Sequence, residues 1–99
     1  MSSYEFEVAA KNAVIEVCRE HYGEEYVIND IQMVWFAHIL GFKKAILINN
    51  GPDLRIFEVT YNRDKNEMYV DSYSKNSNDV LTQADIDTSA HGAYSAVSD

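Results

Sequence analysis

The sequence predicts an α+β fold, in which an N-terminal helix packs on a four-stranded antiparallel meander sheet and an acidic C-terminal tail follows. Two observations lead to this fold class. Apolar residues recur at helical spacing near the N-terminus, and four later segments between turn residues have the character of strands. With 99 residues, the chain has the length of one domain. We assign residues 1–75 to that domain and residues 76–99 to the tail.

The first predicted element is a helix of about five turns. Ser2 and Glu5 match a capping box at its start, and Gly23 is the residue type that ends helices in a left-handed conformation. Cys18 is the only cysteine, which excludes an internal disulfide. We interpret it as a buried helix residue. His21 is interpreted as a structural group at the helix end. The predicted buried stripe is Phe6, Ala9, Ala10, Ala13, Val14, Val17, Cys18 and His21.

Residues 31–49 admit two interpretations. A helix would begin after Asn29, whereas two strands would cover residues 31–39 and 43–49 on either side of Gly41. The runs VWF and AILI consist of residue types that favour strands over helices. We therefore predict two strands.

The next two strands form a predicted hairpin. Gly51 and Pro52 mark a turn before the third strand, residues 54–62. The segment NRDKN, residues 62–66, holds side chains that tolerate turn conformations, and the alternating segment EMYVDSY follows it. A calcium loop, the alternative, requires acidic oxygens at fixed offsets and a closing glutamate, which this segment lacks. We expect a turn here, and no metal or cofactor.

Two segments, VWFAHILGFKKAIL and FEVTYNRDKNEMYVDSYSK, resemble a family of small proteins of unassigned function encoded by phages and prophages of Gram-positive bacteria. The family pattern is a helix, a VWF strand, a KA strand and a hairpin, and it covers roughly residues 4–75. The resemblance implies a phage or prophage accessory protein, and it implies no catalytic residue. The matching hairpin positions are Glu58, Val59, Thr60, Tyr61, Asn62, Asp64, Lys65, Glu67, Tyr69, Asp71, Tyr73 and Lys75.

Alternation along the strands predicts which side chains face the helix. The inward set is Met33, Trp35, Ala37, Ile39, Ala45, Leu47, Phe57, Val59, Met68 and Val70. The outward set is Gln32, Phe36, His38, Lys44, Ile46, Glu58, Thr60, Tyr69, Asp71 and Tyr73. Since one helix covers one face of a sheet, the outward set stays exposed. Its mixture of aromatic and polar groups is typical of a protein interface, and an ordinary hydrated sheet face is the alternative.

The outward face leads to three hypotheses about function. The first is a non-catalytic protein that binds a host or phage protein, with inhibition of a defence system as one form. The second is an acidic mimic of nucleic acid that occupies a DNA-binding groove. The third is a small enzyme in which Glu58 or Asp71 orients His38 as a general base. The candidate partner contacts of the first hypothesis are Phe36, His38, Glu58, Thr60, Tyr69, Asp71 and Tyr73.

The net charge of −8 bears on the class of partner. Direct binding to nucleic acid relies on clustered Lys and Arg. We do not expect such binding, because only Lys43 and Lys44 are adjacent. The polar composition of the tail favours mobility. The acidic residues of the tail, which contains no Lys or Arg, are Asp79, Asp85, Asp87 and Asp99.

We expect neither a signal peptide nor a membrane-spanning segment. No segment approaches the roughly 18 apolar residues of a membrane span, and the N-terminus lacks the pattern of a signal peptide. The sequence therefore predicts a cytoplasmic protein that does not contact a membrane.

Overall fold

A computed structural model describes residues 1–51, 53–74, 77, 79–88 and 90. A helix, a π-helical turn and a short 3₁₀ turn precede four strands, and each strand pairs with the next in an antiparallel meander. The predicted α+β class is therefore confirmed, as is the strand interpretation of residues 31–39. The elements are α1 (Ser3–Val17), the π-helical turn (Cys18–Tyr22), the 3₁₀ turn (Ile28–Asp30), β1 (Ile31–Ile39), β2 (Phe42–Asn49), β3 (Arg55–Asn62) and β4 (Glu67–Ser74).

The helical segment begins and ends where the sequence predicts. The Glu5 backbone N–H donates to Ser2 Oγ, and the Ser2 backbone N–H donates to Glu5 Oε1, each at 3.1 Å. The second of these bonds lowers the pKa of the Glu5 carboxyl, because it stabilises the charged form. At the other end, Gly23 adopts a φ of 65°, in the left-handed region.

The buried stripe of the helix lies on one face of the sheet, which we call the inner face. Its buried members, Phe6, Ala10, Val14 and Cys18, recur every four residues, and burial raises the pKa of the Cys18 thiol. His21 is exposed, so its predicted place in the stripe is wrong. The π-helical turn that begins at Cys18 has more residues per turn than an α-helix, so the α-helical spacing fails there. The sheet contributes Ile31, Ala45, Leu47, Phe57 and Val59 to the same core.

A β-bulge interrupts the pairing of β1 with β2. Met33 pairs with Leu47, whereas the next pair is Trp35 with Ile46, so Val34 is an extra residue in β1. Because side chains alternate between faces, one extra residue reverses the face of every later side chain in the strand.

This reversal corrects the predicted faces after the bulge. Phe36 pairs with the buried Ala45, so it shares the inner face. Its ring lies 5.6 Å from that of Phe6, between centroids. The predicted inward residues that point outward are Trp35, Ala37 and Ile39, and the predicted outward residues that lie on the inner side are Phe36 and His38. The remaining predicted faces agree with the strand pairings.

The turns of the two hairpins lie where the sequence predicts them. Leu40 and Gly41 form a two-residue turn with φ values of 46° and 85°, as in the type I′ turns that suit strand twist. In the turn between β3 and β4, Asn62 Oδ1 accepts hydrogen bonds from the backbone N–H groups of Asp64 and Lys65, at 3.1 and 3.3 Å. The turn interpretation of NRDKN is therefore confirmed. Pro52, in the predicted turn before β3, lies outside the described residues.

A polar network fastens the segment between α1 and β1 to the sheet. Arg55 forms an ion pair with Glu24, and its backbone N–H donates to the buried Asn49 side chain at 2.9 Å. Asn49 in turn donates to the Tyr26 hydroxyl at 3.1 Å, and burial raises the pKa of Tyr26. Gly51 completes the packing, since a methyl group at its Cα would lie 2.0 Å from the Tyr26 oxygen.

The described part of the tail is exposed and contains a helical turn at residues 83–88. Thr82 caps this turn, because its hydroxyl accepts the Asp85 backbone N–H at 3.3 Å and its own N–H donates to the Asp85 carboxylate at 3.1 Å. Lys75, at the predicted end of the domain, lies outside the described residues, as do Asn76, Asn78, Ser89 and residues 91–99 of the predicted tail.

Candidate functional site

The side of the sheet that faces away from α1, which we call the outer face, is the candidate functional site. Residues paired directly across strands share a face, so the pairings identify its members. They are Gln32, Trp35, Ala37, Ile39, Phe42, Lys44, Ile46, Ile48, Ile56, Glu58, Thr60, Asn62, Glu67, Tyr69, Asp71 and Tyr73.

The β1 and β2 part of this face, which we call the apolar half, contributes most of the lining of a pocket. Trp35, Ile39 and Phe42 contribute large side chains that are 47%, 63% and 43% exposed. They line a pocket of about 300 Å³ with Ala37, Lys44 and Thr60. Apolar pockets with a few polar groups at their margin are the usual form of binding sites. The apolar half therefore offers a site for an apolar group of a partner.

The turn beside this pocket holds an exposed and strained leucine. Leu40 is 92% exposed and has a φ of 46°. Residues other than Gly, Asn and Asp rarely adopt this conformation, because the Cβ approaches the following carbonyl oxygen. Strain of this kind concentrates at functional positions. An apolar tip next to Ile39 and Phe42 extends the apolar surface beyond the sheet.

The β3 and β4 part of the outer face, which we call the acidic half, has a different chemistry. Glu58 and Asp71 lie directly opposite each other, and the Lys44 ammonium lies 3.0 Å from the Glu58 carboxylate. On β4, the Tyr69 hydroxyl donates to Glu67, and this hydrogen bond raises the pKa of Tyr69 because it favours the neutral phenol. Carboxylates and phenols thus dominate this half.

The structure brings together most of the predicted contact residues. Phe36 and His38 lie on the inner side, so His38 does not meet Glu58 or Asp71 and the predicted base arrangement does not form. The predicted residues that the outer face holds are Glu58, Thr60, Tyr69, Asp71 and Tyr73.

Sequence reasoning missed the three large side chains of the pocket. The position of the turn at Gly41 would have predicted that they share the outer face. Counting pairs outward from a two-residue turn places Ile39 opposite Phe42 and Ala37 opposite Lys44, which is the observed register. Alternation counted forward from Met33 fails because it crosses the bulge.

The described residues contain neither a metal-binding cluster nor a membrane-spanning helix. Over residues 1–51, 53–74, 77, 79–88 and 90, no group of three or more His, Cys, Asp or Glu side chains is arranged to hold a metal ion. Within the same part of the chain, no helix is both long and apolar enough to cross a bilayer.

A family model matches most of the chain. The model described as "Family of unknown function (DUF6275)" matches residues 7–83. The chain belongs to DUF6275. The match covers most of α1, the whole sheet and the first residues after it, so it includes every residue of the outer face. No curated protein and no solved structure matches the chain.

Proposed function

We propose that this DUF6275 protein is a non-catalytic binding protein whose outer sheet face contacts a partner protein in the cytoplasm of a bacterial cell. The resemblance of its strands to proteins of phages and prophages suggests that the partner is a host or phage protein. Inhibition of a host defence system is one form that such binding takes. No cofactor has a part in the proposal.

The observation that carries the proposal is the exposure of Trp35, Ile39 and Phe42 around one pocket. A single exposed apolar side chain is ordinary, whereas a contiguous apolar surface of several large residues marks an interaction site. Burying such groups contributes roughly 25 cal/mol per Å² of apolar surface. Aromatic residues such as Trp35 also dominate the binding energy of many interfaces.

Tyrosines extend the proposed contact across the sheet. Tyr69 and Tyr73 are exposed on the outer side of β4. Their rings offer contact area at little conformational cost, and their hydroxyl groups form hydrogen bonds at a wet rim. The proposed contact surface thus combines an apolar pocket with a polar aromatic margin, which is the usual organisation of an interface.

The proposal is tested by affinity capture of the partner from cells that make the protein, followed by affinity measurements with purified components. Trp35→Ala and Tyr69→Ala are expected to weaken binding by about thirtyfold, the equivalent of about 2 kcal/mol. Asp64→Ala and Lys65→Ala in the β3–β4 turn are the matched controls, expected to change affinity little. Far-ultraviolet circular dichroism confirms that each variant is folded.

Salt dependence separates this proposal from mimicry of nucleic acid. Binding through the pocket depends on Trp35 and weakens only moderately with salt, whereas a mimic binds independently of Trp35 and loses affinity steeply with salt. Equal affinity of the wild type, Trp35→Ala and Tyr69→Ala would contradict the proposal.

A further inference from the structure

Two rows of the outer face change from apolar to polar side chains across the sheet. In one row across the strands, Trp35 and Ile46 are followed by Glu58 and Asp71. In the row at the end of the sheet, Ile39 and Phe42 of the apolar half are followed by Asn62 and Glu67. In these two rows the change from apolar to polar side chains falls between β2 and β3, whereas the other two rows place Lys44 on β2 and Ile56 on β3. A ligand that covers these two rows matches them best if it is apolar along the side over β1 and β2 and polar along the side over β3 and β4.

The acidic half has more negative than positive charge. It contributes Glu58, Glu67 and Asp71, and the only facing cation among the described residues is Lys44, which pairs with Glu58. Like charges directly opposite each other in a sheet are destabilising, so Glu58 and Asp71 repel each other. No described Lys, Arg or His forms an ion pair with Asp71. A cation supplied by a partner would therefore be favoured here.

The dimensions of the face limit its occupant. Strands of eight residues span about 27 Å and four strands span about 19 Å, which gives a face of about 500 Å². A single helix is about 10 Å wide and matches the length of the strands over about five turns. On the inner face, α1 already packs against this sheet.

We propose that the outer face binds one amphipathic helix of the partner protein. The apolar stripe of that helix lies over Trp35, Ile39 and Phe42, and a row of Lys or Arg beside the stripe lies over Glu58 and Asp71. The occupied sheet would have a helix on each face. This inference rests on the proposed function and adds to it the secondary structure and the charge of the partner segment.

A displayed library of 18-residue helical peptides tests the inference without knowledge of the natural partner. The library keeps one apolar stripe constant and varies the residues on its two sides, and it is selected on the full chain. Lys and Arg are expected to be enriched on one side of the stripe only. An enriched peptide, once synthesised, should change the fluorescence of Trp35, which is the only tryptophan and lines the pocket.

Variants of the chain then locate the bound peptide. Phe42→Glu is expected to abolish peptide binding. Asp71→Lys is expected to weaken it at least tenfold. Replacement of the enriched Lys and Arg of the peptide by Glu should weaken binding by a similar factor. Tyr4→Glu is the matched control, because Tyr4 is an aromatic residue of α1 that is 75% exposed and lies off the outer face. The Tyr4→Glu variant should bind the peptide with the affinity of the wild type.

Each other result overturns the inference in a distinguishable way. Enriched peptides without a basic side, lost on Phe42→Glu, would refute the charge and leave the proposed function standing. Peptides that bind equally to wild type and Phe42→Glu would count against both. Failure to enrich any peptide would refute the helix, and the partner affinities described above would still test the proposed function. A dimer in solution that Phe42→Glu abolishes would make a second copy the occupant.

Discussion

The two faces of one sheet differ sharply, although the same four strands form both. On the inner face Ala45, Leu47, Phe57 and Val59 are completely buried. On the outer face, large apolar residues such as Phe42 are more than one third exposed. Both sets alternate along the same strands, so the local secondary structure does not account for the difference. Burial is therefore decided by the helix that covers one face.

The difference also shows which face stability requires. The inner face holds a contiguous core with the stripe of α1, and its side chains lose contacts if the helix is disturbed. The outer face has no comparable cover from the described residues. Residues of its apolar half can therefore contact a partner without a large effect on the stability of the domain. This arrangement is expected when the core and an interface lie on opposite sides of a sheet.

The largest expected effect on stability comes from a charge placed in the core on the inner face. Val14→Asp would place a charge in the core without a partner and destabilise the domain by about 3–5 kcal/mol. The matched control is Val34→Asp in the exposed bulge, where the same substitution should cost about 1 kcal/mol or less. Urea unfolding measures both. Similar losses for the two variants would show that the faces do not differ as described.

A smaller effect is expected from deletion of Val34. Removal of this extra residue leaves Met33 opposite Leu47 and Trp35 opposite Ile46, so every later pair in β1 keeps its face. We expect a folded protein that loses about 1 kcal/mol or less. Deletion of Glu58 is the matched control in a central strand, where no bulge absorbs the change and every later residue of β3 would reverse its face. If the variant that lacks Val34 failed to fold, the assignment of Val34 as the extra residue of a bulge would be contradicted.

The smallest expected effect comes from the tail. Deletion of residues 77–99 should leave the thermal midpoint nearly unchanged, because Val80, Leu81 and Ile86 are exposed and bury little apolar surface. Thermal unfolding followed by circular dichroism measures the shift. A fall of many degrees would mean that these side chains contribute to the core.

Much of the fold follows from the sequence, because local signals agree with one another. Ser2, Glu5 and Gly23 bound the helical segment, and turn residues separate strands of the observed length. The site was harder to predict. A β-bulge depends on pairing with another strand, and nothing in the local pattern around Val34 marks the extra residue. His21 shows the same limit, since a π-helical turn changes the spacing without a distinct sequence signal.

The residues after β4 set a further limit. The family match extends to residue 83, past the boundary predicted at residue 75. The predicted end of the domain rested on loss of periodicity, which does not distinguish a separate tail from a segment that belongs to the domain. The deletion described above tests this boundary, which stays a prediction.

The most direct test of the central claim is site-specific crosslinking in cells that make the protein. A photoreactive phenylalanine analogue replaces Phe42 on the outer face or, in a second variant, Tyr4 on the helix, so that both probes are aromatic and exposed. The binding account predicts a partner protein crosslinked through position 42 and none through position 4. A partner crosslinked through position 4 and not through position 42 would contradict it.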